Sequence, residues 1–279
     1  MEINKFLHTG REALLKNGID PREARLLLAF ALNIKSEELI KYKECLKEES
    51  DKFFEFINRR CAGEPFAYIT EYKEFMKLNF KVSEDVLIPR EDTEILVQEL
   101  INRVNLKEFK EEESIKILDM CTGSGCIAIS LAKYIKNAKV TAVDISSKAI
   151  SIAKENAIKN DVAVNFIESN LFENVQEQKF DIIVSNPPYI KKEVIDSLQV
   201  EVKKEPIIAL DGGESGLEFY QKITSEALKY LRENGILAYE IGYDQGRDVM
   251  KIMADKGFVD IKVIKDLSMN DRVVIGKLN

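Results

Sequence analysis

Ile115-Lys-Ile-Leu-Asp119-Met-Cys-Thr-Gly123-Ser-Gly125-Cys-Ile-Ala-Ile-Ser-Leu-Ala-Lys-Tyr-Ile135, followed at once by Lys139-Val-Thr-Ala-Val-Asp144, decides how this chain folds. A short apolar run meets a glycine turn, a helical stretch follows, and a second apolar run ends in an acid. A continuous apolar run of this length reads as a strand buried on both faces. From Ile115 onward the pattern repeats. Strands are expected at Ile115–Met120, Lys139–Asp144, Ala163–Ile167, Phe180–Ser185, Ile236–Ile241, Asp260–Lys265 and Arg272–Lys277, with helices at Cys126–Ile135, Ser147–Lys159, Leu217–Glu233 and Gln245–Lys256. Such alternation implies a mostly parallel sheet covered by helices on both faces. The last two strands are close in sequence, so they are expected to run antiparallel at one edge.

The residues ahead of this region read differently. The first 65 or so form a helical segment. Asp20-Pro21-Arg22-Glu23 combines an N-cap, a proline at the first helical position and a capping-box acid. Leu26, Leu27, Phe30 and Ala31 follow at helical spacing. Ser36 opens another short helix, and Phe53, Phe54, Phe56 and Ile57 line one face of a third. These apolar stripes are read as the core of a small bundle. Gly63-Glu-Pro65 breaks the helical pattern. Phe75–Val82 and Val86–Arg90 read as two short strands of a linking hairpin. Asp92-Thr-Glu94 starts the next helix, with Ile95, Leu96, Leu100 and Ile101 inward. The expected division is residues 1–70 helical, 71–90 linker and 91–279 α/β.

Composition narrows the classes. The 279 residues carry a formal net charge of −7, which suits a protein or small-molecule substrate better than a duplex held by its phosphates. The four cysteines, Cys45, Cys61, Cys121 and Cys126, form no CxxC pair, and His8 is the only histidine. Reduced thiols and no zinc or other metal site are expected, with His8 on a helix surface. The N-terminus has no apolar signal-like core, and no run is long enough to span a bilayer. A cytoplasmic protein is the reading, with no membrane partner; nothing sets an oligomeric state, and a monomer is the working expectation.

Three loops at strand ends carry the chemistry. Gly123 and Gly125 let the backbone turn tightly and approach a ligand. Asp144, about 20 residues on, can accept from ribose hydroxyls. Together they point to a nucleoside. With Ala128 in the third position of the dinucleotide fingerprint, NAD fits this loop as well as S-adenosylmethionine does. Asn170 and Leu171, after the third strand, offer an amide and an apolar face to an adenine edge.

The fourth strand ends in Asn186-Pro187-Pro188-Tyr189, and this turn separates the two cofactors. Two prolines fix φ while their carbonyls stay free to accept. The Asn186 side-chain oxygen and the Pro187 carbonyl can each take one N–H of a planar NH2 group, with Pro188 and Tyr189 against its face. Hydride transfer has no use for such a cradle. Methyl transfer does, because an amide or exocyclic amine must be held in line with an activated methyl. The same cradle suits a nucleic-acid amine, which would first have to be flipped out or single-stranded.

These motifs resemble those of class I S-adenosylmethionine-dependent methyltransferases acting on planar nitrogen. Further stretches narrow the likeness: Gly63-Glu-Pro-Phe-Ala-Tyr-Ile69, Leu87-Ile-Pro-Arg90, Thr93-Glu94, Glu205-Pro206, Gly212-Gly213, Gly216-Leu217 and Asp271-Arg-Val-Val274 resemble the release factor glutamine methyltransferases, the HemK family, over nearly the whole chain. The resemblance implies a Rossmann-like, seven-stranded catalytic domain and a helical N-terminal domain that recognises substrate. It implies N5-methylation of the glutamine in the Gly-Gly-Gln motif of peptide chain release factors, with no direct nucleic-acid partner. Asp119, Cys121, Thr122, Gly123, Ser124, Gly125, Asp144, Asn170, Leu171 and Asn186 would hold S-adenosylmethionine. Asn186, Pro187, Pro188 and Tyr189 would bind the glutamine, with Asn186, Pro187 and Tyr189 in the catalytic role. Cys121, Glu71 and Lys77 stand where glycine is usual in the family, Asn170 where aspartate is, and Glu91-Asp92 where Pro-Glu is. The same chemistry on a ribosomal-protein glutamine is a close alternative. A non-catalytic module docking on a translation factor would not need the cradle.

Overall fold

The computed structural model describes residues 2–105 and 114–279; Met1 and residues 106–113, inside the spans assigned above, lie outside them. Seven strands form the main sheet in the order β5-β4-β3-β6-β7-β9-β8. They are β3 (Lys116–Met120), β4 (Lys139–Asp144), β5 (Val164–Glu168), β6 (Phe180–Ser185), β7 (Leu231–Glu240), β8 (Phe258–Lys265) and β9 (Asp271–Leu278). Neighbours from β5 across to β7 are parallel, and β9 is antiparallel to both β7 and β8. The antiparallel strand therefore sits inside the sheet, with β8 at the edge.

Period-two alternation splits the strand side chains between two cores. Ile117, Val140, Ala142, Ile182, Val184, Ile236, Ala238 and Ile275 face one side, against α5 (Thr93–Asn105) and α6 (Cys126–Tyr134). Leu118, Met120, Val143, Ile183, Leu237, Tyr239 and Val274 face the other, against α8 (Glu218–Tyr230) and α9 (Gly246–Asp255). All six residues of β6 are buried, which is why its sequence shows no polar alternation. From β3 the chain steps outward through α6 to β4 and through α7 (Ser147–Lys159) to β5, then returns to place β6 on the other side of β3. That reversal is where doubly wound sheets open a ligand crevice.

Sequence and structure part at several boundaries. The helix expected over Leu217–Glu233 stops at Tyr230, and Leu231 already pairs with Phe180. The register then jumps to Ile182–Ile236, across an irregular segment that includes Asn234 at φ +60°. Arg232 in this segment reaches the Asp181 carboxylate at 2.8 Å, a pairing no local pattern encodes. Val86–Arg90 is not a strand; the Ile88 N–H donates to the Glu205 carboxylate at 3.2 Å rather than to a strand partner. The linking hairpin is instead β1 (Tyr72–Phe75) with β2 (Leu78–Lys81), turned at Met76 and Lys77, both at positive φ. A glycine-free turn of this kind hides inside an apparent single strand.

The chain divides into two units, one running from the N-terminus through Tyr72 and including Gln199–Lys204, the other comprising Lys73–Leu198 and Glu205–Asn279. The first contains α1 (Ile3–Lys16), α2 (Glu23–Ala31), α3 (Lys47–Cys61) and α4 (Phe66–Thr70). Leu27, Phe53, Phe56 and Ile57 fill its core, while Leu26 and Phe30 are exposed despite their helical spacing. Ser36–Lys41 is a 3-10 turn rather than an α-helix. Glu23 serves no capping box; Arg60, itself buried, donates to it at 2.5 Å and also reaches Glu201 at 2.8 Å. Among the described residues no helix is long and apolar enough to cross a membrane.

Candidate active site

The loop after β3 is built from beneath. Asp119 is fully buried and faces α6; its Oδ2 accepts from the Thr122 hydroxyl at 2.5 Å and the Ala128 N–H at 3.2 Å. A carboxyl at a helix N-terminus complements the helix dipole. Burial nonetheless pushes it up to about 7, and its Oδ1 has no partner. Thr122 donates its N–H to the Val143 carbonyl, and the Ser124 carbonyl accepts from Asn156. Gly125 lies at φ +81°, and a Cβ there would meet Ile129 at 2.9 Å and Ala153 at 3.1 Å. It therefore lets α6 and α7 close on the turn. Asp119, Thr122, Ser124 and Gly125 thus shape the loop but do not line the cleft above it.

That cleft, of about 260 Å³, opens at the carboxyl ends of β3, β4 and β6 and is lined by Cys121, Gly123, Asp144, Asn170, Leu171, Asn186 and Pro188 among others. Asp144 accepts the Gly123 N–H at 2.8 Å on one oxygen and the Ser146 N–H at 3.0 Å on the other. The Ile145 N–H also bonds this carboxylate, and the lone-pair capacity that remains is open to a ligand hydroxyl. Asn170 gives its Nδ2 to Glu173 at 2.6 Å, which leaves its Oδ1 to accept. Cys121 adopts φ +62°, the conformation that favours glycine. Sequence reading did not assign Ile145, Pro206, Ile208 and Phe219 to the site, yet they add apolar wall to the same cleft. Ile208 and Phe219 are distant in sequence and reach it only through the tertiary fold.

The Asn186–Tyr189 turn stands on the cleft's rim. Pro187 and Pro188 are buried, and Asn186 and Tyr189 are half-buried. Pro187 and Tyr189 do not line the cleft itself. Asn186 Nδ2 lies 3.4 Å from the Thr93 hydroxyl oxygen, its donor pointing inward. The turn is clamped from behind. Ile190 donates to Leu210 and accepts from Gly212, forming a parallel bridge with the 210–212 segment. Gly212 passes so close that a Cβ on it would sit 2.7 Å from the Tyr189 Cα. Buried Gln245, at the start of α9, donates to the carbonyls of Tyr189 and Gly216, both at 3.1 Å, and accepts from the Gly242 N–H at 2.9 Å. Burial holds the Tyr189 phenol above its ordinary value, so it stays neutral near pH 7.

Residues 93–205 match the methyltransferase small domain, and residues 5–70 match the PrmC N-terminal domain. A release factor glutamine methyltransferase of Clostridium acetobutylicum is 44% identical over 91% of this chain and 90% of its own length. The chain belongs to the release factor glutamine methyltransferase family. A second member of that family, from Thermodesulfovibrio yellowstonii, is 38% identical over 97% of each chain. The sheet recurs in a Pyrococcus furiosus methyltransferase crystal structure, at TM-score 0.53 and 21% identity, covering 74% of this chain and 91% of that one; this likeness concerns the fold alone. The arrangement sets a cleft of about 260 Å³ beside a rigidly held Asn-Pro-Pro-Tyr turn, with no histidine near either.

Proposed function

We propose that this methyltransferase transfers a methyl group from S-adenosylmethionine to the side-chain nitrogen of the glutamine in the Gly-Gly-Gln motif of peptide chain release factors. The observation that carries the reading is the Asn186–Tyr189 turn, held rigid at the rim of a cleft that also contains Asp144 and Asn170. Bound in that cleft, S-adenosylmethionine would supply a methyl group activated by its sulfonium. Asp144 would accept from the ribose hydroxyls, Asn170 Oδ1 from the adenine amine, and Leu171 and Ile145 would give apolar contact. Asp119, Thr122, Ser124 and Gly125 act indirectly, by fixing the loop that carries Cys121 and Gly123.

At the turn, Asn186 Oδ1 and the Pro187 carbonyl would each accept one N–H of the glutamine amide. This aims the nitrogen at the methyl group and favours the positive charge that develops on it. Pro188 and Tyr189 would close over the flat amide. A neutral Tyr189 is not a base, and the amide proton is released after transfer. Residues 1–70 would recognise the protein substrate, and the reaction would take place in the cytoplasm.

Labelled cofactor tests this directly. The protein is incubated with release factor, with release factor whose Gly-Gly-Gln glutamine is replaced, with ribosomal proteins and with nucleic acid. Label is expected in intact release factor alone. Label that survives the glutamine replacement, or that enters another substrate instead, contradicts the proposal.

A further inference from the structure

Behind Asn186 lies a group that the proposed chemistry has not used. In β6 and β7, Val184 pairs with Ala238 and Ser185 with Tyr239. Continuing that register by one residue sets Asn186 beside Glu240. Alternation puts both on the face of Val184 and Ala238, the face covered by α5. The first residue of α5 is Thr93, 2% exposed. Its hydroxyl oxygen meets Asn186 Nδ2 at 3.4 Å, and the Glu240 carboxyl lies within reach of the same hydroxyl. Three elements thus bring Asn186, Thr93 and Glu240 into one line.

Resting on the function proposed above, we propose that Thr93 and Glu240 are positioning residues for methyl transfer: the Glu240 carboxylate orients the Thr93 hydroxyl, and that hydroxyl holds Asn186 with its side-chain oxygen facing the acceptor amide. A threonine hydroxyl has one proton to give. Donated to Glu240, it leaves only lone pairs toward Asn186, which must then answer with its NH2 end. The Asn186 oxygen is left for the substrate. Turned the other way, Asn186 would present donors to an NH2 group that needs acceptors.

Glu240 is a poor choice for stability alone. It is 1% exposed, and its Oε2 has no partner. Arg272 on β9, together with Arg90 and Asp92 ahead of α5, sets the charge around it, and the neutral phenol of Tyr189 lies near. Arg272 does not neutralise it by contact; its Nη2 serves Asp92 and Asp266, each at 3.1 Å. Burial pushes Glu240 up to about 7, so its charge, and with it the direction of the Thr93 hydroxyl, responds to pH near neutrality. A buried carboxyl of this kind beside a reacting centre is a feature of functional sites.

Thr93→Val, Thr93→Ser and Glu240→Gln, made in the full chain, test the line of contacts with release factor as substrate. Thr93→Val and Glu240→Gln should each lower kcat by about ten- to a hundredfold while the KM for S-adenosylmethionine stays put. Thr93→Ser, which keeps the hydroxyl, should restore most of the turnover. The double variant should be no slower than the slower single one, because both changes break the same line. A second readout needs no turnover. With 15N-labelled asparagine, the Asn186 side-chain amide resonance should titrate with a midpoint near 7 in the wild type and lose that step in Glu240→Gln and Thr93→Val. Unchanged kcat in Thr93→Val, additive losses, or an Asn186 amide indifferent to Glu240 would overturn the proposal. A wild type without turnover would instead remove the functional reading, and the amide titration would then decide the line of contacts by itself.

Discussion

The Gln245 side chain donates to the Tyr189 carbonyl at 3.1 Å, joining the start of α9 to the last residue of the Asn186–Tyr189 turn. The same amide holds the Gly216 carbonyl and the Gly242 N–H. One buried side chain therefore ties three backbone segments to one another. Gln245→Ala leaves two carbonyls and one N–H without their partner. The expected cost is about 2–4 kcal/mol of unfolding free energy, read by urea titration, together with a loss of kcat that exceeds the loss of cofactor affinity. Unchanged kcat would mean that the turn keeps its shape without this clamp.

Asn186→Ala separates acceptor positioning from cofactor binding. It should lower turnover at least about a hundredfold, the scale for removing one preorganised polar contact to a transition state. S-adenosylmethionine affinity, measured by calorimetry, should change far less. Loss of cofactor binding instead would make Asn186 chiefly a cofactor ligand.

Asp119 and Glu240 give the fold an unusual pH dependence. Burial raises both to about 7 from ordinary values of 3.8 and 4.5. The folded chain then binds these protons more tightly than the unfolded chain does. Their stabilising contribution is complete below the unfolded values and is lost as pH rises through about 7. Each group contributes on the order of a few kcal/mol. Glu240→Gln removes its share, so it should be more stable than the wild type at about pH 8 and lose that advantage near pH 5. Urea unfolding at the two pH values checks the sign, and a Glu240→Gln protein that is less stable than wild type at the higher pH contradicts it.

Lys77 and Glu71 sit at φ +59° and +57°. A side chain in this region costs about 1–2 kcal/mol, part of which glycine returns as unfolded-state entropy. Lys77→Gly, at the tip of the β1–β2 turn, should therefore raise stability by up to about 1 kcal/mol and leave kcat unchanged. A lowered melting temperature would show that the Lys77 side chain contributes more than its backbone costs.

Sequence and structure agree best where local patterns coincide with tertiary roles. The buried run of β6, the glycine loop and Asp144 were legible because a two-faced strand, a positive φ and an acid at a strand end each leave a local trace. Their convergence at one crevice follows from the doubly wound order. Gln245, Thr93 and Glu240 could not be read as site residues. Gln245 opens an ordinary helix, and Glu240 ends an apolar strand; both matter only because of neighbours far along the chain. A signal for Glu240 was present, since an acid continuing the inward face of a fully buried strand is anomalous. The hairpin was misplaced for a related reason: Met76 and Lys77 form its turn without the glycine or asparagine by which such turns are recognised. Cys121, Glu71 and Lys77, the positions where the resemblance implied glycine, all adopt the left-handed backbone that glycine favours.

The most direct measurement of the central claim is the mass of the release factor after incubation with this protein and S-adenosylmethionine, mapped by fragmentation. The account predicts the gain of one methyl group in place of one hydrogen, on the Gly-Gly-Gln glutamine side chain, and no gain with the Asn186→Ala protein. A methyl group on any other residue, or the same gain with Asn186→Ala, would contradict it.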